Sequence, residues 1–276
     1  MIKADRYYRE VIDRLETEGV WDEDPRPKWE DGEKAHSKFI IGVFETYDLF
    51  KGEYPITTLR NTAIKTGIKE IFWIYQKQSN KLSDAHDLGI KWWDNWDIGD
   101  GTIGQRYGAT VRRYDLINNL LKNLKEDPFS RRHIMDLYQY SDLNETKGLF
   151  PCAYKTTWSV RKIDNDYYLD MALEQRSSDY IVANFINKIQ YVALQMMVAT
   201  HLGYKLGKFM HYVQNLHVYD RHMEALEEIK NRKSIDFQPK IILQDKKDFY
   251  DYTIDDFKVI STNEIKKLEA ELPLAI

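Results

Sequence analysis

An apolar segment between residues 186 and 202 limits the possible folds more than any other feature of this sequence. Its apolar residues fall on most sides of a helical wheel, at Ile189, Val192, Ala193, Met196 and Met197. A helix with this pattern is poorly suited to a protein surface, so we predict a central buried helix that ends before Gly203. The other elements must therefore surround it.

Helices and strands are predicted on both sides of this segment. Apolar residues recur at helical spacing near the N-terminus, where a helix stops at Gly19, and over 62–76 and 114–125. β-Branched and aromatic residues are enriched at 134–140, 154–161, 167–174 and 209–219, with short strands near Ile241 and Phe257. This order predicts an α+β class, with a mixed or mostly antiparallel sheet packed against helices.

The chain has no sign of an internal domain boundary. Its 276 residues contain no Pro-, Gly- or Ser-rich tract, so we predict a single domain over 1–276. The formal net charge of -4 gives no overall attraction to nucleic acid or to an anionic membrane. No apolar run is long enough to span a bilayer and the N-terminus lacks a signal-peptide pattern, so we expect a cytoplasmic protein with no membrane or DNA partner.

The single cysteine, Cys152, excludes an intramolecular disulfide and a cysteine-based zinc cluster within one chain. A lone cysteine is most often a buried core thiol. Cys152, however, follows Pro151 at the start of a predicted strand, where its side chain can face a cleft. Arg176, in the polar run from Gln175 to Asp179, could lower the pKa of a nearby thiol and favour the nucleophilic thiolate. A surface salt bridge between Arg176 and Asp179 is the alternative.

Other side chains could bind an anion, a sugar and the edge of a base. Arg131 and Arg132 match the geometry of a phosphate, although arginines also stabilise the ends of helices. His217 and Tyr219 are two residues apart in a predicted strand and point to the same face, where they could bind a sugar hydroxyl or form a satisfied, partly buried pair. Asn187 offers a donor and an acceptor that complement a uracil or cytosine edge, or it caps the buried helix.

Two further features could serve catalysis or stacking. Glu70 lies on the apolar stripe of the predicted helix over 62–76, so a raised pKa would suit it to proton transfer. Trp92, Trp93 and Trp96 precede a glycine-rich loop that contains Tyr107. These aromatic residues could provide a surface for a flat ring, or they could be ordinary core packing.

Taken together, these motifs resemble the thymidylate synthase family. They occur in that family's order, as KEIFW around Glu70, WWDNW, IGQRYG, DPFSRRH, FPCAY, EQRSSD, the asparagine of the buried helix and LHVY. The resemblance runs from Arg26, in the segment PRPKW, to the terminal Leu-Ala-Ile. It implies a single-domain α+β fold of the thymidylate synthase type, whose sheet forms the interface of a homodimer.

The resemblance also implies an activity, the reductive methylation of dUMP to dTMP with 5,10-methylenetetrahydrofolate as co-substrate, giving dihydrofolate without a metal. In that chemistry a thiolate adds to C6 of uracil and creates an enolate at C5. Cys152 would be the nucleophile, and Glu70 would relay protons to O4 through ordered water. The implied catalytic residues are Cys152, Glu70, Tyr107, Arg176, Asn187 and Asp179.

Two binding sets follow from the same resemblance. The dUMP site would contain Arg26, Arg131, Arg132, Gln175, Arg176, Ser177, Ser178, Asp179, Asn187, His217 and Tyr219. Within it, Arg131 and Arg132 would reach the phosphate from the other subunit of the homodimer. The folate site would contain Trp93, Trp96, Leu149, Asp179, Ala183, Ala275 and Ile276, with the terminal carboxylate helping to close the cleft.

The sequence departs from the family pattern mainly on the folate side. Ala183 and Ile186 stand where the family usually has a glycine and a phenylalanine, Trp92 stands in place of an isoleucine, and Asn215 in place of an aspartate. These changes leave open a deoxyuridylate hydroxymethylase, in which water instead of hydride captures the methylene. A non-catalytic relative that binds nucleotide or RNA is the alternative from another class, and the presence of Cys152 disfavours it.

Overall fold

The computed structural model describes residues 1–244 and 247–276. Within them the helices, in chain order, are α1 Lys3–Thr17, α2 Ile64–Ile71, α3 Leu82–Asp87, α4 Gly108–Arg113, α5 Leu116–Glu126, α6 Tyr140–Glu145, α7 Asn184–Leu202 and α8 Met223–Asn231. The strands are β1 Val20–Trp21, β2 Ser37–Asp48, β3 Ile134–Asp136, β4 Ala153–Ile163, β5 Asp166–Asp179, β6 Lys205–Tyr219, β7 Lys240–Leu243 and β8 Phe257–Ile260.

One large mixed sheet organises the molecule. Its strand order is β1-β2-β6-β5-β4-β3, and β7 pairs with β8 in a separate two-stranded sheet. All neighbours in the large sheet are antiparallel except β5 and β6, which run parallel and are joined through α7. A parallel pair requires such a crossover, because its two strands must start at the same edge. The predicted α+β class, with a mixed sheet and helices in one domain, is confirmed.

The predicted central helix is confirmed as α7. Most of its residues are buried, and Ala193, Leu194 and Met197 are fully inaccessible. The helix begins at Asn184, two residues before the predicted start at residue 186. Asn187 therefore lies in the first turn of α7 and is not its N-cap, so the capping alternative for Asn187 is wrong.

The other predicted helices form with altered ends. The opening helix is α1, and the segment predicted at 114–125 is α5. The segment predicted at 62–76 is α2 followed by a π-helical turn over Phe72–Gln76. Such wide turns occur often at functional sites, and this one directly follows the helix that carries Glu70.

Several elements differ from the sequence prediction. The predicted strand at 134–140 stops at Asp136, whose carboxylate accepts the backbone N–H of Tyr138 at 2.7 Å and turns the chain. Strand β5 continues to Asp179, so the polar run from Gln175 belongs to the strand and does not follow it. Strand β2 was not predicted, because the exposed apolar residues Ile41 and Phe44 hide its alternation.

No helix within the described ranges is long and apolar enough to cross a membrane.

Candidate active site

Several of the predicted site residues lie at one edge of the large sheet. Strand β4 begins at this edge, and β5 and β6 end there, because β4 is antiparallel and β6 parallel to β5. Ala153 at the start of β4 pairs with Gln175, and Asp179 at the end of β5 pairs with His217. Strand pairing thus brings together three motifs that lie far apart in the sequence.

Arg176 holds the segment that carries Cys152. Its guanidinium donates to the carbonyl of Phe150 at 2.7 Å and to that of Pro151 at 2.9 Å, and it lies 3.5 Å from Sγ of Cys152. Its backbone N–H also donates to the carbonyl of Cys152 at 3.1 Å. The contact with the thiol means that Arg176 is not simply half of a surface salt bridge with Asp179.

Burial and nearby charge act in opposite directions on Cys152. Burial raises the pKa of the thiol above its usual value, and the positive charges of Arg176 and Arg26 lower it only in part. The prediction that an arginine acts on this thiol is right in sign. The net effect is a raised pKa, which favours the protonated thiol.

Tyr107 also supports Cys152. Its hydroxyl accepts the backbone N–H of Cys152 at 3.2 Å, and its ring is buried. Tyr107 has φ of 46° and ψ of -109°, a sparsely populated region for a residue with a side chain. The next residue, Gly108, has no room for a Cβ, which would lie 2.2 Å from the carbonyl oxygen of Ser79. Close backbone packing at Gly108 therefore holds Tyr107 in this conformation.

A chain of hydrogen bonds fixes the amide of Asn187. His211 Nε2 lies 2.6 Å from Oε1 of Gln175, whose Nε2 donates to Oδ1 of Asn187 at 3.1 Å. Asn187 in turn donates from Nδ2 to Oε1 of Gln190 at 2.9 Å. Burial lowers the pKa of His211 to about 3, so His211 is neutral and donates from Nε2. One N–H and one lone pair of Asn187 remain for a ligand with a complementary edge.

Glu70 is a buried carboxylate with indole and amide neighbours. Its side chain lies on α2 and is 5% exposed, and the indole N–H of Trp92 donates to its Oε2. Burial raises the pKa of Glu70 to about 7, and hydrogen bonding, first from Trp92, opposes that rise. The structure thus agrees with the raised pKa predicted for Glu70, near the value suited to proton transfer at neutral pH.

The ends of β5 and β6 carry three further predicted residues. The rings of His217 and Tyr219 are 5.0 Å apart at 77°, and His217 Nδ1 lies 3.1 Å from Oδ1 of Asn215. Burial lowers the pKa of His217. Asp179 accepts the backbone N–H groups of Ile181 at 2.9 Å and of the next residue at 3.0 Å, so it also shapes the turn into α7.

The predicted phosphate residues divide between this edge and other surfaces. Arg26 is exposed, and its charge acts on Cys152. Ser177 is half-buried, whereas Ser178 is buried and accepts a hydrogen bond from Asn184 at 3.1 Å. Arg131 and Arg132 are exposed on the loop between α5 and β3, and no described contact joins them to Cys152.

Two of the predicted folate residues, Trp93 and Trp96, form a partly exposed aromatic wall with Tyr107. Trp93 contacts Trp96 at 5.5 Å and Tyr107 at 5.2 Å between ring centroids, both edge to face. Leu149 packs against the same core cluster, and Ala183 is the residue before α7. At the C-terminal end, Ala275 is half-buried, and Ile276 exchanges two backbone hydrogen bonds with Lys28, two residues after Arg26.

Sequence reasoning missed two members of the site, His211 and Gln190. Both are buried polar residues, Gln190 on the predicted buried helix (α7) and His211 on a predicted strand (β6). A polar side chain on a buried face needs a hydrogen-bonding partner, so that pattern could have identified them. Among the described residues, the structure has no group of three or more His, Cys, Asp or Glu side chains placed to hold a metal ion.

Comparisons with known proteins agree with one another. A family model described as thymidylate synthase matches residues 6–274. Thymidylate synthase of Streptococcus pneumoniae strain 70585 is 48% identical over 270 residues, which are 96% of this chain and 97% of the relative. The enzyme of the same name from Streptococcus gordonii is also 48% identical, with the same coverage. Among solved structures, thermostable thymidylate synthase A from Bacillus subtilis is similar with a TM-score of 0.89 and 34% identity, covering 99% of each chain.

Proposed function

The chain belongs to the thymidylate synthase family, and on that premise we propose which of its residues carry out the reductive methylation of dUMP to dTMP. The protein is a methyltransferase that uses 5,10-methylenetetrahydrofolate and yields dihydrofolate. The observation that carries the assignment is the contact between Arg176 and the thiol of Cys152, at the sheet edge that also presents His217.

Cys152 is the nucleophile in this proposal. Its thiolate adds to C6 of uracil, and the electron pair of the C5=C6 bond moves onto O4 as an enolate. The enolate makes C5 nucleophilic, and C5 bonds to the one-carbon unit of the reduced folate. Loss of the C5 proton then expels tetrahydrofolate and leaves an exocyclic methylene. Hydride transfer from tetrahydrofolate to this methylene, with elimination of the thiolate, gives dTMP, dihydrofolate and the free enzyme. Arg176 and Arg26 supply the positive charge that favours the thiolate, which burial disfavours. Tyr107, whose hydroxyl accepts the backbone N–H of Cys152, assists removal of the C5 proton through water.

Asn187 and Glu70 act on the other side of the ring. The free donor and acceptor of Asn187 match O4 and N3–H of uracil, and the hydrogen bonds to Gln175 and Gln190 hold its amide in that orientation. Glu70, with a pKa of about 7, can hold or release a proton near O4 and so stabilise the enolate.

The remaining residues bind the rest of the nucleotide and the folate. Arg26, Arg176 and Ser177 hold the phosphate, with Gln175 and Ser178 supporting them from the same strand, and His217 and Tyr219 bind the deoxyribose hydroxyl. The reduced folate supplies the one-carbon unit and a hydride when bound. The half-buried rings beside Trp93 suit a flat ring system, and the residues assigned to the folate are Trp93, Trp96, Leu149, Asp179, Ala183, Ala275 and Ile276.

A product assay tests the reaction. The protein is incubated with dUMP and 5,10-methylenetetrahydrofolate, and dihydrofolate is measured together with the nucleotide product. We expect equal amounts of dTMP and dihydrofolate. Formation of hydroxymethyl-dUMP without dihydrofolate would mean that water captures the methylene and that the proposal is wrong.

A second assay tests the role of the thiol. Cys152→Ala should abolish tritium release from 5-tritiated dUMP, because no enolate forms without addition at C6, while dUMP still binds. Cys152→Ser is the matched control, since it keeps the size and a weak nucleophile. Release of tritium by Cys152→Ala at the wild-type rate would refute covalent catalysis by this residue.

The assembly is the third part of the proposal. The family implies a dimer, and we propose that the sheet forms its interface and that Arg131 and Arg132 reach the phosphate of the partner's site. The exposed apolar side chains Ile41 and Phe44 on β2 support an interface on the sheet, and the position of the two arginines away from Cys152 supports donation across it.

Subunit exchange tests this arrangement. Cys152→Ala and the double variant Arg131→Ala/Arg132→Ala should each be inactive alone. Mixed dimers should regain activity, because one of their two sites combines an intact thiol with intact arginines. Failure to regain activity after proven exchange would place the arginines in their own subunit's site.

Two broader predictions accompany the proposal. We propose that residues 1–276 act as a single catalytic domain, which the continuous six-stranded sheet supports. The cytoplasmic location predicted from the sequence stays a prediction.

A further inference from the structure

Trp92 contacts the proposed proton relay from the folate side of the site. The indole Nε1–H of this half-buried residue donates to Oε2 of Glu70, which is 5% exposed. An aliphatic side chain at this position would have no hydrogen-bond donor to offer to Glu70. The indole of Trp92 therefore determines part of the hydrogen bonding around Glu70.

We propose that Trp92 is a positioning residue that fixes one carboxylate oxygen of Glu70 and favours its ionised form. This inference rests on the proposed role of Glu70 as a proton relay. A donor that engages Oε2 restricts rotation of the carboxylate and so holds it in one orientation for proton transfer.

The electrostatic surroundings of Glu70 agree with this role. Burial raises the pKa of Glu70 to about 7, and the hydrogen bond from Trp92 is the largest influence that lowers it. The charge of Glu70 affects the pKa of two other titratable side chains, Tyr107 and Tyr191. Burial raises the pKa of both phenols far above the usual value, so both stay neutral between pH 5 and 9. Glu70 is thus the group whose ionisation this indole should report.

Nuclear magnetic resonance of ¹⁵N-indole-labelled protein tests the contact without any need for activity. The Trp92 Nε1–H resonance, assigned by its loss in Trp92→Phe, should shift with pH around a midpoint near 7, the pKa of its acceptor. Glu70→Gln should remove that shift. The indole of Trp158, which donates to Thr156 Oγ1 at 2.9 Å, should not titrate and is the internal control. A Trp92 resonance that is flat from pH 5 to 9, or unchanged in Glu70→Gln, would overturn the proposal.

The pH profile of tritium release then tests the functional consequence. In Trp92→Phe, which keeps an aromatic ring but lacks the donor, the apparent pKa assigned to Glu70 should move upward by about one unit, the shift equivalent to about 1.4 kcal/mol. Trp158→Phe should leave the profile in place. An unmoved profile in Trp92→Phe would contradict the proposal, whereas absence of dTMP formation by the wild type, with the indole still titrating, would contradict only the proposed function.

Discussion

The buried ion pair between Lys188 and Glu45 gives the sharpest stability prediction. Lys188 Nζ lies 3.1 Å from Oε1 and 2.8 Å from Oε2 of Glu45, and the two side chains are 3% and 1% exposed. Lys188→Met leaves the Glu45 carboxylate buried without its cation, a change that typically costs about 3–5 kcal/mol. The Tyr47 hydroxyl still donates to that carboxylate at 2.6 Å. We therefore expect the lower end, a loss of about 3 kcal/mol at pH 7.

The pH dependence identifies the cause. In the wild type the Lys188 charge helps to hold the pKa of Glu45 below its usual value, so that contribution is present above about pH 4.3 and is lost as the pH falls. In Lys188→Met the folded-state pKa of Glu45 should rise above the unfolded value. A carboxyl group whose pKa is higher in the folded state than in the unfolded state stabilises the folded protein at low pH. That stabilisation is lost as the pH rises through the folded-state pKa. The deficit of the variant should therefore be large at pH 7 to 8 and should shrink towards pH 5.

Chemical denaturation followed by circular dichroism measures these differences, at one fixed protein concentration because the family implies a dimer. Lys188→Met/Glu45→Gln is the matched control, and it should recover at least half of the loss since no unpaired charge remains. A loss below about 1 kcal/mol at pH 7, or a deficit that does not shrink at low pH, would refute the reasoning that an unpaired buried carboxylate is the cause.

Three further predictions concern Cys152 and its support. In the ligand-free protein, the rate at which iodoacetamide labels the single cysteine should rise with pH. The midpoint of that rise should lie above the midpoint of an ordinary thiol, because burial raises the pKa of Cys152. A midpoint below pH 8 would contradict this. Arg176→Ala should move that midpoint further upward, whereas an unchanged midpoint would mean that its charge does not act on the thiol. Gly108→Ala should lower both the melting temperature and kcat, because the new Cβ meets the backbone of Ser79 and displaces Tyr107. Ala109→Gly, at the next residue, is the control. Equal losses in the two variants would argue against the close contact at Gly108.

The sequence was sufficient for the features that depend on local pattern. Apolar periodicity identified α7, since a helix that is apolar on most sides has one possible environment. The order of the motifs placed Cys152 and Arg176 in one site, and the apolar stripe around Glu70 correctly predicted burial of its carboxylate. The inferences about α7 and Glu70 need only a segment and its neighbours, and the one about Cys152 and Arg176 needs only the order of motifs along the chain.

Other features depend on pairings between distant segments, and the sequence could not provide them. Strand β2 carries apolar side chains on both faces, so its alternation gave no signal. The direction of the pKa shift of Cys152 depends on the balance between burial, which raises the pKa, and the charges of two arginines, which lower it. That balance depends on three-dimensional distances, which the sequence does not contain. The hydrogen bonds from His211 through Gln175 to Asn187 join three elements, and no spacing in the sequence encodes them.

The central position of β6 has a consequence for folding kinetics. This strand pairs with β2, from the first fifth of the chain, and with β5 only across the crossover that contains α7. Contacts between segments so distant in sequence form slowly, because the entropy of closing long loops is lost before the contacts stabilise the chain. His211, His217 and Tyr219 all lie on this strand. During synthesis on the ribosome, the nucleotide site should therefore be among the last parts of the protein to form, after most of the chain has emerged.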